Sequence, residues 1–221
     1  MTQTMKAAVA MGYGSPEVIR LKEVKRPIPK PNEVLIKVIT ASATTADAMM
    51  RTGKPYIARL FVGLLKPKKP IPGTGFAGVV AQVGKEVKDF KVGYRVFGET
   101  TFGFSSNAEY LTIPEHGVIL TMPENLDFSE AANFCDGHLT SYNFLKEIAK
   151  LKPRQKVLIN GASGALGTSA IQISKFMEAH VTAVCSGRNV GLVQSLGADE
   201  LIDYQQKDFT KGDRKYDYVL D

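Results

Sequence analysis

A glycine-rich stretch in the second half of the chain, Gly161-Ala-Ser-Gly-Ala-Leu-Gly167, restricts the fold more than any other feature of the sequence. It follows an apolar run, Lys156–Asn160, that is typical of a buried strand. It leads into Leu166–Met177, where apolar residues recur at helical spacing. Small residues at such a junction let the chain turn sharply, let the backbone approach a pyrophosphate and let the helix pack closely on the strand. The first N–H groups of the helix then face the anion.

We therefore predict a dinucleotide-binding loop formed by Gly161, Ala162, Ser163, Gly164, Ala165, Leu166 and Gly167. The spacing GxxGxxG is a variant of the commonest dinucleotide pattern. The stretch lacks the Gly-Lys-Ser/Thr ending of a nucleoside-triphosphate loop. A tight turn that binds nothing is the alternative.

Strands and helices alternate around this loop, which predicts a parallel sheet with helices on its faces. Two helices are expected before the loop, one opening with a capping box at Asp127–Glu130 and one over His138–Leu151. After the loop, the predicted elements are, in chain order, a strand over His180–Cys185, a helix over Asn189–Leu196 ended by Gly197, and strands over Leu201–Ile202 and Tyr216–Leu220.

The first half of the chain has a different character, with short β-branched runs separated by glycine and proline. This pattern predicts a small barrel or sandwich, so we place a domain boundary near residue 125, with domains at 1–125 and 126–221. One short helix, Ala46–Thr52, is ended by Gly53. The predicted strands are Lys6–Ala10, Ile19–Val24, Val34–Ile39, Ala77–Val83, Arg95–Phe97 and Glu109–Ile113.

The end of the second strand of the parallel sheet indicates which coenzyme is bound. An NAD site carries Asp or Glu there to bind the ribose hydroxyls. The residues here are Cys185-Ser186-Gly187-Arg188, with no acid. Ser186 can donate a hydrogen bond and Arg188 can bind a phosphate, with Lys175 as a third partner, so NADPH is predicted. The alternative is that Arg188 only begins the next helix.

Composition excludes several classes of protein. The 221 residues are 44% hydrophobic and 23% charged, as in ordinary globular proteins. The longest apolar stretch, Ile57–Leu65, is too short to span a membrane, and no secretory signal is recognisable. Two cysteines fit a cytoplasmic location. The net charge of +6 favours anionic partners, but the lysines at 66, 68 and 69 lack interleaved aromatic residues, so we expect no nucleic-acid binding.

Five motifs follow one another along the chain: Met5–Val9, Pro31–Val38, Ile71–Gly78, Val83-Gly84 and Gly161–Gly167. This ordered set resembles the medium-chain dehydrogenase/reductase superfamily, most closely its zinc-free, quinone-oxidoreductase-like branch. The resemblance implies an α/β protein with an N-terminal GroES-like β-barrel domain and a partial Rossmann domain, with NADPH and substrate between them.

Zinc is not expected in the site. Zinc alcohol dehydrogenases of the superfamily have Cys and His at the positions matching Thr44 and Thr74, and Cys or Asp near Asp136. Threonine hydroxyls are poor zinc ligands beside thiolate and imidazole, and Asp136 alone cannot hold the metal. Cys135, Asp136 and His138 are close in sequence, but their spacing matches no common ligand set.

The resemblance implies hydride transfer to a quinone or an α,β-unsaturated carbonyl compound, whose small-molecule site Thr44, Thr45, Tyr56, Asp136 and Thr140 would line. Asp47, which matches an acid common in the family, is expected to anchor a loop. No proton donor is identified. A homodimer is a candidate assembly.

Two other functions remain open: a non-catalytic NADPH-binding module of redox-sensing or crystallin-like type, and a zinc-dependent alcohol dehydrogenase. A complete Rossmann domain has six strands and only four are predicted here. We therefore expect the sequence to be a C-terminally truncated or partial chain that binds NADPH weakly and turns over slowly.

Overall fold

The computed structural model describes residues 3–211 and 213–221. These residues form two compact units, one that ends at Phe134 and one that begins at Cys135. The first unit is built from antiparallel strands and the second from a parallel sheet with helices. The division between the units falls after the helix that opens at Asp127, because that helix packs on strands of the first unit.

Antiparallel strands dominate the first unit. A five-stranded sheet has the order β6-β3-β4-β5-β7, and β1 pairs with β2 in a separate hairpin. Val34, Ile36, Phe76, Val80 and Leu111 form the centre of its buried core. The strands are β1 (Thr4–Ala10), β2 (Ile19–Lys25), β3 (Glu33–Ala41), β4 (Gly75–Val83), β5 (Arg95–Glu99), β6 (Tyr110–Pro114) and β7 (Val118–Thr121).

The α-helices of the first unit, within the described residues, are α1 (Thr45–Thr52), α2 (Arg59–Val62) and α3 (Phe128–Phe134). Gly53 ends α1 with a φ of 63°, the left-handed conformation that glycine adopts readily. At the start of α3, Asp127 and Glu130 bond reciprocally: Glu130 N donates to Asp127 Oδ1 at 2.8 Å, and Asp127 N donates to Glu130 Oε2 at 3.2 Å. The predicted capping box is therefore confirmed.

A four-stranded parallel sheet forms the centre of the second unit. Its strands are β8 (Lys156–Ile159), β9 (His180–Cys185), β10 (Glu200–Asp203) and β11 (Tyr218–Leu220), in the order β10-β9-β8-β11. Numbered along the chain, this is the 3-2-1-4 order of the first four strands of a Rossmann sheet. The predicted parallel sheet is confirmed. The order reverses between β8 and β11, and ligands of such sheets bind at the carboxyl ends of the strands near that point.

Helical segments cover the parallel sheet. They are the π-helical Cys135–Leu139, α4 (Thr140–Tyr142), the π-helical Asn143–Ile148, α5 (Ala165–Phe176) and α6 (Val190–Ser195). The first segment lies close to α5 at Gly137, where a Cβ atom would be 2.5 Å from the Ala165 carbonyl oxygen. Ser141 Oγ donates to the Leu166 carbonyl oxygen at 2.9 Å. These contacts hold the first turn of α5 in place.

Several elements of the first unit are not predicted by the sequence. They are β7, the helical segment formed by Tyr56–Ala58 and α2, and the single helical turns at Pro16–Val18 and Thr101–Gly103. The short run Val118–Thr121 is a strand because it pairs with β5, a contact distant in sequence. None of the helices within the described residues is long and apolar enough to cross a bilayer.

Candidate functional site

The predicted dinucleotide loop connects β8 to α5, and each of its three glycines has a different structural role. Gly161 has a φ of 63°, the left-handed conformation that starts the turn. Gly164 N donates to the Gly161 carbonyl oxygen at 2.9 Å and closes the loop. Gly167 lies against the loop, where a Cβ atom would overlap the Gly161 carbonyl oxygen and approach Ala162 Cα to 2.6 Å. The loop therefore requires glycine for both its turn and its packing.

The backbone N–H groups of this loop are its candidate ligand-binding groups. Ala162 N donates to the Val184 carbonyl oxygen at 3.0 Å, which ties the loop to β9. Within the part of the chain that the structure describes, the N–H groups of Ser163, Ala165, Leu166 and Gly167 make no hydrogen bond. Such groups at the start of a helix bind anions, aided by the helix dipole. The donor set matches a phosphate.

The end of β9 lies beside the loop, and Asn189 connects the two. The Asn189 side-chain nitrogen Nδ2 lies 2.9 Å from Ser163 Oγ and 3.2 Å from Ser186 Oγ. Ser186 is buried, whereas Arg188 is exposed and its guanidinium has no partner among the described residues. The structure thus brings Ser163 and Ser186 together through Asn189, and Arg188 precedes Asn189 in the sequence. Asn189 was missed as a site residue because an asparagine beside a predicted helix is an ordinary helix cap.

Asp203, at the end of β10, is the neighbouring acid. It stands opposite Cys185 in the pairing of β10 with β9, and a Cβ atom on Gly187 would lie 2.7 Å from its Oδ2. Gln205 N and the Gln206 side chain donate to its two oxygens, each at 3.0 Å. The carboxylate is therefore held by the turn that follows its own strand.

The structure places Lys175 away from this group, contrary to the sequence-based expectation. Its Nζ lies 2.8 Å from both carboxylate oxygens of Asp199 and donates to the Ala179 carbonyl oxygen at 3.2 Å. Lys175 is in the last turn of α5, about 15 Å along the helix axis from its first turn. The helix carries this lysine to the edge where β9 begins, whereas Ser186 and Arg188 follow the end of β9.

The ion pair of Lys175 with Asp199 predicts a stability effect in acid. Partial burial raises the pKa of Asp199, but hydrogen bonds from Lys175 and Val181 N and the charges of Lys175 and His180 outweigh it and hold the pKa below its usual range. A lowered folded-state pKa stabilises the protein above the unfolded-state pKa, and this stabilisation disappears as pH falls through the folded-state value.

We expect Asp199→Asn to lower the free energy of unfolding at pH 7 by about 1 to 2 kcal/mol. The difference from the wild type should shrink as pH falls below about 4, and urea denaturation across that range measures it. Lys175→Met should remove the part of this pH-dependent contribution that comes from Lys175 and keep the part that comes from Val181 N and His180. A deficit of Asp199→Asn that stays constant into strong acid would contradict the assignment.

In the first unit, two of the three predicted site residues, Thr44 and Thr45, lie at the start of α1. Thr44 immediately precedes the helix and is half-buried, and Thr45 begins it and is exposed. Thr44 N donates to Asp47 Oδ2 at 2.8 Å, and Gly73 N donates to Asp47 Oδ1 at 2.9 Å. One oxygen of Asp47 thus caps α1, and the other anchors the loop before β4 to this helix. Tyr56 lies apart from them in the turn before α2, with the Arg59 guanidinium 4.8 Å from its ring centre.

In the second unit, Asp136 and Thr140 lie on the helical segments that pack against α5, and both are partly buried. Between them, His138 Nδ1 lies 3.2 Å from Ser169 Oγ, and Ser169 Oγ donates to the Ala165 carbonyl oxygen at 2.9 Å. His138 therefore faces the helix that follows the glycine loop.

Thr44 and Thr74 occupy the positions that match zinc ligands. Thr44 Oγ1 is 3.3 Å from Asp47 Oδ2, and Thr74 is buried. Among the described residues, Asp89, Glu115 and His116 are the group whose ligand atoms lie within 4.8 Å of one another. Asp89 N and Lys88 N donate to Glu115 Oε1 at 2.5 and 2.6 Å, and these hydrogen bonds lower the pKa of that carboxyl. The Glu115 carboxylate thus anchors the loop that contains Lys88 and Asp89.

Comparisons with known proteins agree with this architecture. The family model for the alcohol dehydrogenase GroES-like domain matches residues 30–124. The chain is 31% identical to a chloroplastic quinone-oxidoreductase homolog of Spinacia oleracea, over 98% of this chain and 67% of that protein. The chain belongs to the medium-chain dehydrogenase/reductase superfamily, in its quinone-oxidoreductase-like branch.

Two further members of the superfamily extend the comparison. The structure of the quinone oxidoreductase from Coxiella burnetii superposes with a TM-score of 0.90 at 30% identity, over 99% of this chain and 68% of that one. A chloroplastic NADPH-dependent alkenal/one oxidoreductase of Arabidopsis thaliana is 34% identical, over 98% of this chain and 57% of that protein. The superfamily assignment confirms the predicted GroES-like domain followed by a partial Rossmann domain.

Proposed function

We propose that the protein is an NADPH-dependent reductase that transfers hydride to a quinone or an α,β-unsaturated carbonyl compound without zinc. The observation that carries this proposal is the glycine loop between β8 and α5. Four of its N–H groups have no partner among the described residues, and Asn189 joins the loop to Ser186. Relatives named as quinone and alkenal/one oxidoreductases support the reaction class.

The loop residues fit a dinucleotide. The close approach of Gly167 to Gly161 leaves no room for a side chain, so the backbone itself faces the ligand. Residues 161–167 would form the pyrophosphate site, with the N–H groups of Ser163, Ala165, Leu166 and Gly167 as the donors. Ser186 and Arg188 would bind the 2′-phosphate, since no acid occupies the end of β9 to bind free ribose hydroxyls. When bound, reduced nicotinamide supplies the hydride.

The residues of the substrate site would act on the oxygen of the acceptor. Reduction of a quinone or enone places negative charge on the carbonyl oxygen, which hydroxyl donors stabilise. Thr44, Thr45, Tyr56 and Thr140 carry such hydroxyls, and Asp136 contributes a polar wall. In this proposal Asp47 keeps Thr44 in position, because it accepts a hydrogen bond from Thr44 N.

A reaction without zinc follows from the chemistry of the residues that match zinc ligands. Threonine hydroxyls at 44 and 74 bind zinc poorly. A conjugated acceptor spreads the developing charge by itself, so positioned hydrogen-bond donors can replace a Lewis acid.

The test combines coenzyme binding, turnover and chelation. We expect saturable enhancement of NADPH fluorescence, NADPH consumption that depends on an added quinone or enone, and a rate that a zinc chelator leaves unchanged. A zinc alcohol dehydrogenase inhibited by the same chelator is the control. NADPH binding without consumption by any acceptor would instead identify a non-catalytic coenzyme-binding module. Loss of activity on chelation, restored by added zinc, would instead identify this protein as a zinc-dependent alcohol dehydrogenase.

Two further expectations stay predictions. The cytoplasmic location rests on cysteine content, and the relatives include chloroplastic proteins. The homodimer is checked by light scattering of the purified protein.

A further inference from the structure

Asn189 is bonded in a way that sets the direction of two hydroxyl groups. One nitrogen, Nδ2, lies within hydrogen-bond distance of Ser163 Oγ at 2.9 Å and of Ser186 Oγ at 3.2 Å. An amide nitrogen carries two hydrogens and no accepting lone pair, so it donates one hydrogen to each serine. Both serine oxygens are acceptors in these bonds, and neither hydroxyl proton is used.

The two hydroxyl protons have no other acceptor among the described residues. Ser163 belongs to the glycine loop and Ser186 follows β9, so the serines come from two separate elements joined by this one side chain. Because both oxygens contact the same nitrogen, they are close enough for one phosphate group to accept from both. Phosphate oxygens accept hydrogen bonds and donate none in the ionised state, so they require donors turned outward.

We propose that Asn189 is a positioning residue that turns the hydroxyls of Ser163 and Ser186 into a pair of donors for the 2′-phosphate of NADPH. This inference rests on the proposed coenzyme. Asn189 does not touch the phosphate itself. It holds the serines with their accepting lone pairs engaged and their protons toward the ligand, while Arg188, its neighbour in sequence, supplies the positive charge.

The replacement of Asn189 by aspartate reverses this arrangement with little change of shape. A carboxylate only accepts hydrogen bonds, so both serine protons would turn toward residue 189 and away from a ligand. Asn189→Leu is similar in size and makes no hydrogen bond. Gln194→Glu adds one negative charge within α6, five residues after Asn189, and is the matched control for charge.

The test uses two fragments of the coenzyme, adenosine 2′,5′-bisphosphate and adenosine 5′-monophosphate, which differ by the 2′-phosphate alone. Calorimetric titration of the full chain measures the Kd of each. We expect Asn189→Leu to raise the Kd of the bisphosphate about tenfold and Asn189→Asp to raise it about a hundredfold. The Kd of the monophosphate should change by less than about threefold, and Gln194→Glu should leave the ratio of the two values unchanged.

A merely structural role of Asn189 is distinguished by removing the serines. In a Ser163→Ala/Ser186→Ala background, Asn189→Leu should have no further effect on the ratio, because the groups that it positions are gone. An Asn189→Leu effect that persists in that background, or that is equal for both ligands, would overturn the inference while the NADPH preference of the wild type stands. A wild type that binds both ligands equally would overturn the NADPH proposal and the inference with it.

Discussion

Replacing Gly167 by alanine should destabilise the protein by about 2 to 3 kcal/mol and weaken coenzyme binding at least about tenfold. The added Cβ atom would overlap the Gly161 carbonyl oxygen and lie 2.6 and 2.7 Å from the Cα and carbonyl carbon of Ala162. These are backbone atoms, so relief requires α5 to move away from β8. That movement would displace the N–H groups of Ala165 and Leu166 from the phosphate position.

Thermal or urea denaturation and NADPH fluorescence titration measure the two effects of Gly167→Ala. The control is Gly191→Ala in α6, where a Cβ atom would meet nothing within 4 Å. Alanine there should stabilise the helix by up to about 1 kcal/mol and leave coenzyme affinity unchanged. If Gly167→Ala had the stability and the NADPH affinity of the wild type, the close packing of loop and helix would not be what binds the coenzyme.

Loss of the Arg188 side chain should remove the preference for NADPH over NADH. The guanidinium is exposed, follows the end of β9 and has no partner within the described residues, so a 2′-phosphate can occupy its donors. We expect Arg188→Ala to raise the Kd of NADPH about tenfold to a hundredfold and to change that of NADH by less than about threefold. Fluorescence titration with each coenzyme gives both values.

Lys175→Met is the control for Arg188→Ala, because it also removes one positive charge from the second unit. Lys175 lies in the last turn of α5, far from the glycine loop, and its Nζ is bonded to Asp199. This variant should therefore lose stability and keep the coenzyme preference. A preference lost in Lys175→Met and kept in Arg188→Ala would reverse the assignment of the two residues. Equal affinity of the wild type for NADPH and NADH would refute the choice of coenzyme.

The predicted N-terminal strands agree with the structure because short β-branched runs between glycines and prolines have few other conformations available. Val118–Thr121 was missed because a four-residue strand receives its stability from pairing with β5 rather than from its own residues. The segment Tyr56–Val62 was missed for a related reason. Its helical turns are too short to show periodicity, and contacts such as the bond from Arg59 Nε to the Gly53 carbonyl oxygen hold it.

In the candidate site, too, some features could be predicted from the sequence and others depend on the tertiary structure. The sequence alone determined the glycine loop, the order of strands and helices around it and the absence of an acid after β9, because these depend on local turn chemistry and on the periodicity of apolar residues. The tertiary structure decided which polar side chains meet. Lys175 pairs with Asp199, 24 residues away, and Asn189 bonds to Ser163, 26 residues away. Such partners depend on which ends of the strands the sheet brings together, and no local pattern in the chain encodes that.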